Sequence, residues 1–251
     1  MTRKLAIVVL ATIAAAITLA ATACNRNNAS APQPVAVTKC TAPTPTTPAA
    51  FTALWNKLDP AQWIAADVSI SVPLPGRSVW LYGDTFETTR FAHSTAITQT
   101  AGCLHVSQAG AQVLPNDDPS HIYWIESAKA TGANTLLIKA RGITLTDPGN
   151  PWGFADGGYS RNATAIVTAS GDVVFTGWQA PMWGPTTTPE QLVACPEQTA
   201  PNTSLQGHIC YARHAHPEFK LADGKVLVTE AQNWSNVPMH PLTDYRPIFT
   251  E

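Results

Sequence analysis

From Phe51 onward, apolar positions come in short runs that alternate with small polar residues, and almost never at helical spacing. "DVSISV" (67–72), "SVWLYG" (78–83), "STAITQT" (94–100), "LHVSQ" (104–108), "HIYWIE" (121–126), "TLLIKARGITL" (135–145), "NATAIVTA" (162–169), "DVVFTGW" (172–178), "ICYARHA" (209–215) and "KVLVTEA" (225–231) each read as a strand bounded by Gly, Pro, Asn or Asp. "ASGD" (Ala169–Asp172) and "ADGK" (Ala222–Lys225) separate pairs of such runs and have hairpin-turn chemistry. The helical exception is "PAAFTALWNKLDPAQW", where Phe51, Leu54, Trp55 and Leu58 share a face before Pro60 stops the turn. Many short strands at even spacing predict an all-β domain with one short N-terminal helix: a sandwich, a barrel or a propeller. No internal repeat is strict enough to choose among these, so a propeller here would have diverged blades.

The first residues do not belong to that domain. "MTRKLAIVVLATIAAAITLAATAC" joins Arg3 and Lys4 to an uncharged apolar run, an export signal over 1–23 rather than a membrane span. Two readings of its end stand. Cys24 carries lipid and anchors the chain at the outer face of the cell membrane, or cleavage after Ala23 releases a secreted protein. Ala21 stands where a lipoprotein signal more often has Leu. Residues 24–50 are rich in Pro, Thr and Ala and read as a tether with too little apolar surface to fold. That leaves 51–251, about 200 residues, as one monomeric domain.

Five cysteines in an exported chain is an odd count. With Cys24 lipidated, Cys40, Cys103, Cys195 and Cys210 suffice for two disulfides in an oxidising compartment. Three pairings are possible; proximity favours Cys195–Cys210 across "PEQTAPNTSLQGHI", which leaves Cys40–Cys103 by elimination. The formal charge of −2 and the lack of any basic run argue against a nucleic-acid partner.

"DVSISVPLPGRSVWLYGDTF", "FAHSTAITQTAGCL", "HPEFKLADGKVLVTEAQNW" and the closing "DYRPIF", taken in that order, resemble an actinobacterial family of domains of unknown function. Its members resemble five-bladed furanosidase propellers, and some are endo-acting D-arabinan hydrolases of the mycobacterial cell wall. The likeness runs from about Trp63 to Phe249. It implies a five-bladed β-propeller with ligand at the central axis, a furanose-rich envelope polysaccharide as substrate, and no cofactor. The chain departs from the pattern at Ser94, where the family often has Asn after the His, so substrate contacts at that position are not carried over.

The residues themselves offer two clusters of candidate chemistry. Glycoside hydrolysis generally needs one carboxyl to protonate the leaving oxygen and another to assist attack. Asp67 heads one strand and Asp84 ends the next, and an antiparallel return brings the end of one strand beside the start of its predecessor. Asp67 is therefore the candidate base or nucleophile and Asp84 the candidate general acid; the alternative for Asp84 is a turn cap. In "RHAHPEF", extended backbone would set His214, His216 and Glu218 on one side. Here Glu218 is the reserve acid and His216 a candidate substrate contact. The pattern could also offer metal ligands, but no further ligand motif accompanies it, so no metal is assigned.

His93 is a further candidate for substrate contact, as is Asp156, whose neighbouring glycines otherwise suggest a turn. Of eight tryptophans, Trp152, Trp183 and Trp234 lie in loop-like context suited to stacking on sugars, while Trp63, Trp80 and Trp124 read as core. Arg246 is expected to close the last blade through salt bridges. No G-x-S-x-G elbow, phosphate-cradling loop or dinucleotide fingerprint is present. A non-catalytic carbohydrate-binding propeller remains the alternative to an enzyme.

Overall fold

The computed structural model describes residues 40–147, 154–179, 208–234 and 245–251. One helix, α1 (Pro48–Trp55), begins with Pro48 after the N-cap Thr47, whose hydroxyl accepts from the Ala50 amide, and it buries Phe51, Leu54 and Trp55. Among the described residues everything else regular is strand, apart from a short 3-10 turn at Ser107–Gly110. The first meander comprises β1 (Ala65–Ala66), β2 (Ile70–Leu74), β3 (Arg77–Tyr82), β4 (Thr85–Phe86), β5 (Phe91–Ala92), β6 (Thr95–Thr100) and β7 (Cys103–Val106). β2, β3, β6 and β7 form one sheet, and β1, β4 and β5 continue it as a short second one. A long meander of β8 (His121–Gly132), β9 (Thr135–Leu145), β10 (Phe154–Val167) and β11 (Val173–Trp178) follows. Then come β12 (His208–Lys220), β13 (Val226–Trp234) and β14 (Ile248–Thr250).

Every pairing is antiparallel, and each of the ten runs read from the sequence overlaps a strand, although 67–69, the head of the first run, lies between β1 and β2. The hairpins at 169–172 and 222–225 form as expected, with Gly171 and Gly224 at positive φ. Among the described residues the chain is therefore all-β with one short helix, and none of the sheets closes on itself.

The β2–β3–β6–β7 sheet has apolar neighbours on both faces, which is why "SVWLYG" is a continuous apolar run rather than an alternating one. On one face Ile70, Val72, Val79 and Leu81 pack with Tyr123, Ile125, Leu136 and Ile138 of the second meander. On the other, Trp80, Tyr82 and Ile97 pack with Phe51 and Trp55 of α1 and with Phe219, Leu227 and Phe249 of the third sheet. Trp80 is the hub of that second cluster: it stacks on Phe219 at 5.2 Å, meets Trp55 edge-on at 5.0 Å, and donates its indole N–H to Gln99 at 2.9 Å. Trp63 and Trp80 are fully buried, as expected of core residues.

The folded body reaches further back than the expected boundary at residue 51. Cys40 is bonded to Cys103 with a Cα–Cα distance of 5.8 Å. The Gly102 amide donates to the Ala42 carbonyl, and the Ala222 amide to that of Thr46. Residues 40–50, assigned to the tether by composition, are thus held by a covalent link and backbone hydrogen bonds that composition does not register.

Candidate functional site

The first meander is interrupted three times at one level. Regular pairing stops at 67–69 between β1 and β2, at 83–84 between β3 and β4, and at 93–94 between β5 and β6. The register survives each break. Ala66–Thr85 and Ile70–Leu81 belong to one continuous alignment, which sets Asp67 opposite Asp84. Thr85–Ala92 and Leu81–Ala96 belong to another, which sets Asp84 opposite His93. Asp67, Asp84 and His93 therefore form a row across three strands at the level where the ladder of the first meander relaxes. The Asp67 amide still donates to the Asp84 carbonyl at 3.1 Å, and the Gly83 amide to the Asp67 carbonyl at 3.0 Å. Val68, beside Asp67, has φ +49°. This left-handed conformation is unfavourable for a β-branched residue, and such strain concentrates at functional sites.

Asp84 is 4 % exposed. Its Oδ1 receives two hydrogen bonds, one from His93 Nδ1 at 2.9 Å with the proton on that nitrogen, and one from the Trp124 indole at 3.0 Å. Among the described residues Oδ2 takes none. Burial pushes the Asp84 carboxyl above its ordinary range, and the His93 and Trp124 bonds offset only part of that shift. Two donors on Oδ1 are compatible with a protonated carboxyl whose proton sits on Oδ2. Asp84 thus has a tertiary setting, more than the cap of a turn.

Asp67 has a different environment. It is half-buried, and the Tyr245 hydroxyl donates to its Oδ2 at 2.6 Å. Its side chain folds over Gly83 so closely that a β-carbon there would overlap Asp67 Oδ1. Aromatic rings border the row. Tyr245 meets Phe86 edge-on at 5.3 Å, Phe86 meets Phe91 at 4.9 Å, and Phe91 meets His93 edge-on at 4.9 Å. Ser94, at the departure from the family pattern, is fully buried; its hydroxyl accepts from the Leu114 amide and its carbonyl from that of Val113, so it fastens the following segment.

The second cluster resolves differently. His216 is wholly buried, with Nδ1 against the Ser71 hydroxyl at 2.5 Å, Nε2 against the Thr229 hydroxyl at 2.7 Å and the Trp80 ring at 4.6 Å. Both ring nitrogens are used inside the core, so the expected substrate contact from His216 is replaced by a structural role. Burial, reinforced by neighbouring His214, holds its pKa well below the ordinary histidine value. His214 is also buried and donates from Nδ1 to the Ala212 carbonyl. The pairing register shifts between His216 and Lys220, which breaks the alternation expected of Glu218. Glu218 is half-buried, both its oxygens are sealed from solvent without a well-formed hydrogen bond, and burial raises its pKa despite the nearby Ser71 hydroxyl. No group of three His, Cys, Asp or Glu among the described residues could hold a metal ion.

Two partners of the row escaped the sequence reading. Trp124 is half-buried rather than core, and its indole N–H reaches Asp84. The signal was the adjacent pair Tyr123–Trp124, since consecutive strand residues face opposite sides and only Tyr123 can take the core side here. Tyr245 is distant in sequence from everything it touches and carried no local signal. Arg246 makes no salt bridge among the described residues; it donates to the Asn56 side chain at the end of α1. Burial without a carboxylate lowers its pKa. Asp156 lies opposite Ile143 by register, and Trp234 pairs with His208 at the end of β13. Nothing is described of the Asp156, Trp234 or Cys210 side chains, and Trp152, Trp183, Cys195, Cys24 and the signal segment lie outside the described residues. No described helix is long and apolar enough to cross a membrane.

No family model matches the chain, and no curated protein or solved structure matches it either. What the molecule itself defines is an all-β protein with two aspartates and a histidine aligned at a shared interruption of its first meander.

Proposed function

We propose that the protein is a glycoside hydrolase acting on a furanose-rich cell-envelope polysaccharide such as D-arabinan. The observation that carries this reading is the opposition of Asp67 and Asp84 in unlike environments. The Asp67 amide donates to the Asp84 carbonyl, so the two residues are hydrogen-bonded neighbours on adjacent segments. Paired glycosidase carboxyls stand about 5–10 Å apart. Asp84, buried and doubly bonded at Oδ1, donates its Oδ2 proton to the departing glycosidic oxygen. Asp67, beside the Tyr245 hydroxyl, acts as the base for water or as the nucleophile at the anomeric carbon. In either course water supplies the hydroxyl of the new reducing end, and Asp84 regains a proton by the end of the cycle. Divergent environments around two carboxyls are how one site holds an acid and a base at a single pH.

The substrate class rests on the ordered motifs and their resemblance to arabinan-cleaving propellers, and so does closure of the sheets into five blades. Export, with Cys24 as lipid anchor or with release after Ala23, follows from the leader and is supported by the Cys40–Cys103 bond. Incubation of the purified protein with arabinogalactan and with lipoarabinomannan, followed by oligosaccharide analysis, tests the activity. Released arabino-oligosaccharides that vanish with Asp67→Asn are expected, with the variant still folded. An equally active Asp67→Asn removes the mechanism, and binding without cleavage leaves a carbohydrate-binding protein instead.

A further inference from the structure

The face of the second meander nearest Asp84 carries further side chains around Trp124, the indole donor to that carboxyl. The register sets Trp124 of β8 directly opposite Arg141 of β9, and Phe154 of β10 directly opposite Leu145. The Trp124 and Phe154 rings meet edge-on at 4.7 Å. Phe154 is 48 % exposed, one of two large apolar side chains so open among the described residues. Ile122, Ile143 and Leu145 form a small apolar cluster on the same face, separate from the two main ones, and Trp124 packs against it. Trp124 is therefore held in place by its neighbours. Alongside it run polar groups: Glu126 takes the Ser160 hydroxyl at 3.0 Å, lies 3.2 Å from Lys139 and 3.8 Å from Arg141, and the Arg141 side chain is 48 % exposed.

An aromatic pair bordered by hydrogen-bonding groups matches a sugar ring, which has an apolar C–H face and a rim of hydroxyls. The indole N–H holds Asp84, so a ring stacked on this platform lies on the side of the proton donor. Asp67 and Tyr245 are at the other end of the row. We infer that Trp124, Phe154 and Arg141 form a sugar subsite on the leaving-group side of the scissile bond, with the exposed Phe154 stacking on the ring, Trp124 bordering its edge and Arg141 donating to its hydroxyls. This subsite rests on the hydrolase reading and deepens it.

The test compares Phe154→Ala, Phe154→Tyr and Trp124→Phe with the parent on purified arabinan oligosaccharides, with Asp84→Asn as reference. Phe154 is exposed, so its replacement leaves the fold in place. Phe154→Ala raises KM about tenfold with a smaller change in kcat, and Phe154→Tyr restores the parent KM. Trp124→Phe removes a donor that favours the charged form of Asp84, so the basic limb of the kcat/KM profile moves to higher pH. An unchanged KM in Phe154→Ala while Asp84→Asn silences turnover overturns the subsite and leaves the hydrolase standing. An unmoved basic limb in Trp124→Phe overturns the link between platform and acid. A parent that neither binds nor cleaves arabinan removes the hydrolase reading and the subsite with it.

Discussion

Two regions of this molecule combine histidine with carboxylate, and they put the same chemistry to opposite uses. On β12, His214 and His216 point into the core, and every ring nitrogen of His216 meets a hydroxyl from a neighbouring strand. At the interruption of the first meander, His93 meets the carboxyl of Asp84, and the row runs to half-buried Asp67 beside half-buried Phe86 and Phe91. What separates the two is that His214, Ala215 and His216 pair in register with Thr229, Val228 and Leu227, between two register shifts of β12. There, polar groups on the inner face must satisfy one another, because an unpartnered buried group costs roughly 1–3 kcal/mol. Where the ladder of the first meander relaxes at one level across three strands, side chains are aimed by the break and leave capacity for something outside.

Asp84 and Glu218 give the largest contrast, since burial raises the pKa of both. A folded-state pKa above the unfolded value means stability that is fully present at low pH and lost as pH rises through the folded value. Near neutral pH, neutralising either group should therefore leave the fold as stable or more stable. Asp84→Asn should nonetheless lower hydrolysis by about a hundredfold to ten-thousandfold. The loss should shrink for substrates whose leaving group needs no protonation. Glu218→Gln should gain on the order of 1 kcal/mol in denaturant titration and keep its turnover. If Glu218→Gln loses activity as Asp84→Asn does, the acid has been assigned to the wrong region.

Gly83→Ala is the next step down. The added methyl meets the end of the Asp67 side chain rather than the backbone, so the fold can yield by moving the carboxyl. Displacement by about 1 Å costs on the order of a hundredfold in kcat, with the thermal midpoint little changed. A fully active Gly83→Ala shows that Asp67 does not need its present position. On the buried side, His216→Ala leaves the Ser71 and Thr229 hydroxyls facing a cavity and should cost about 3 kcal/mol.

His216 also imposes a pH dependence. Its folded-state pKa is held well below 6.5, so the unfolded chain takes the proton first; stability is full above that value and falls as pH drops towards the folded one. His214 acts in the same direction. Urea midpoints at pH 7.5 and 5.5 should therefore differ in the parent and differ less in His216→Gln. An equal midpoint difference in parent and variant would mean that His216 is not held neutral.

Much of this was legible in the sequence, for reasons that are local. The ten strands and two hairpins follow from short apolar runs and Gly-containing turns, and α1 from the spacing of Phe51, Leu54 and Trp55. The adjacency of Asp67 and Asp84 follows from antiparallel return. Long-range contacts were not legible. His216 looked available because period-two alternation places it on a face without saying that Ser71 and Thr229 cover that face. Trp124 looked like core because an aromatic in an apolar strand usually is. Counting cysteines did reach the Cys40–Cys103 pair, but the boundary at residue 51 was drawn from composition, which does not register that bond.

The smallest expected effect tests whether the interruption is strained for a purpose. Val68 holds φ +49°, which costs an L-residue about 1–2 kcal/mol. Its side chain packs against the core shared with the second meander, which returns part of that cost. Val68→Gly removes the strain, but it also removes the packing and adds chain entropy worth roughly 0.5–1 kcal/mol. These changes nearly cancel, so stability should move by less than about 1 kcal/mol. Activity should not be indifferent. With glycine at 68 the backbone beside Asp67 gains conformations in which its carboxyl leaves the row, and kcat should fall about threefold to tenfold while KM holds. If stability rises by the full strain and kcat is unchanged, the left-handed valine is only a consequence of how β1 and β2 meet. If kcat falls with stability level, the break in the ladder aims Asp67, and the region that looks least regular is the one the fold constrains most closely.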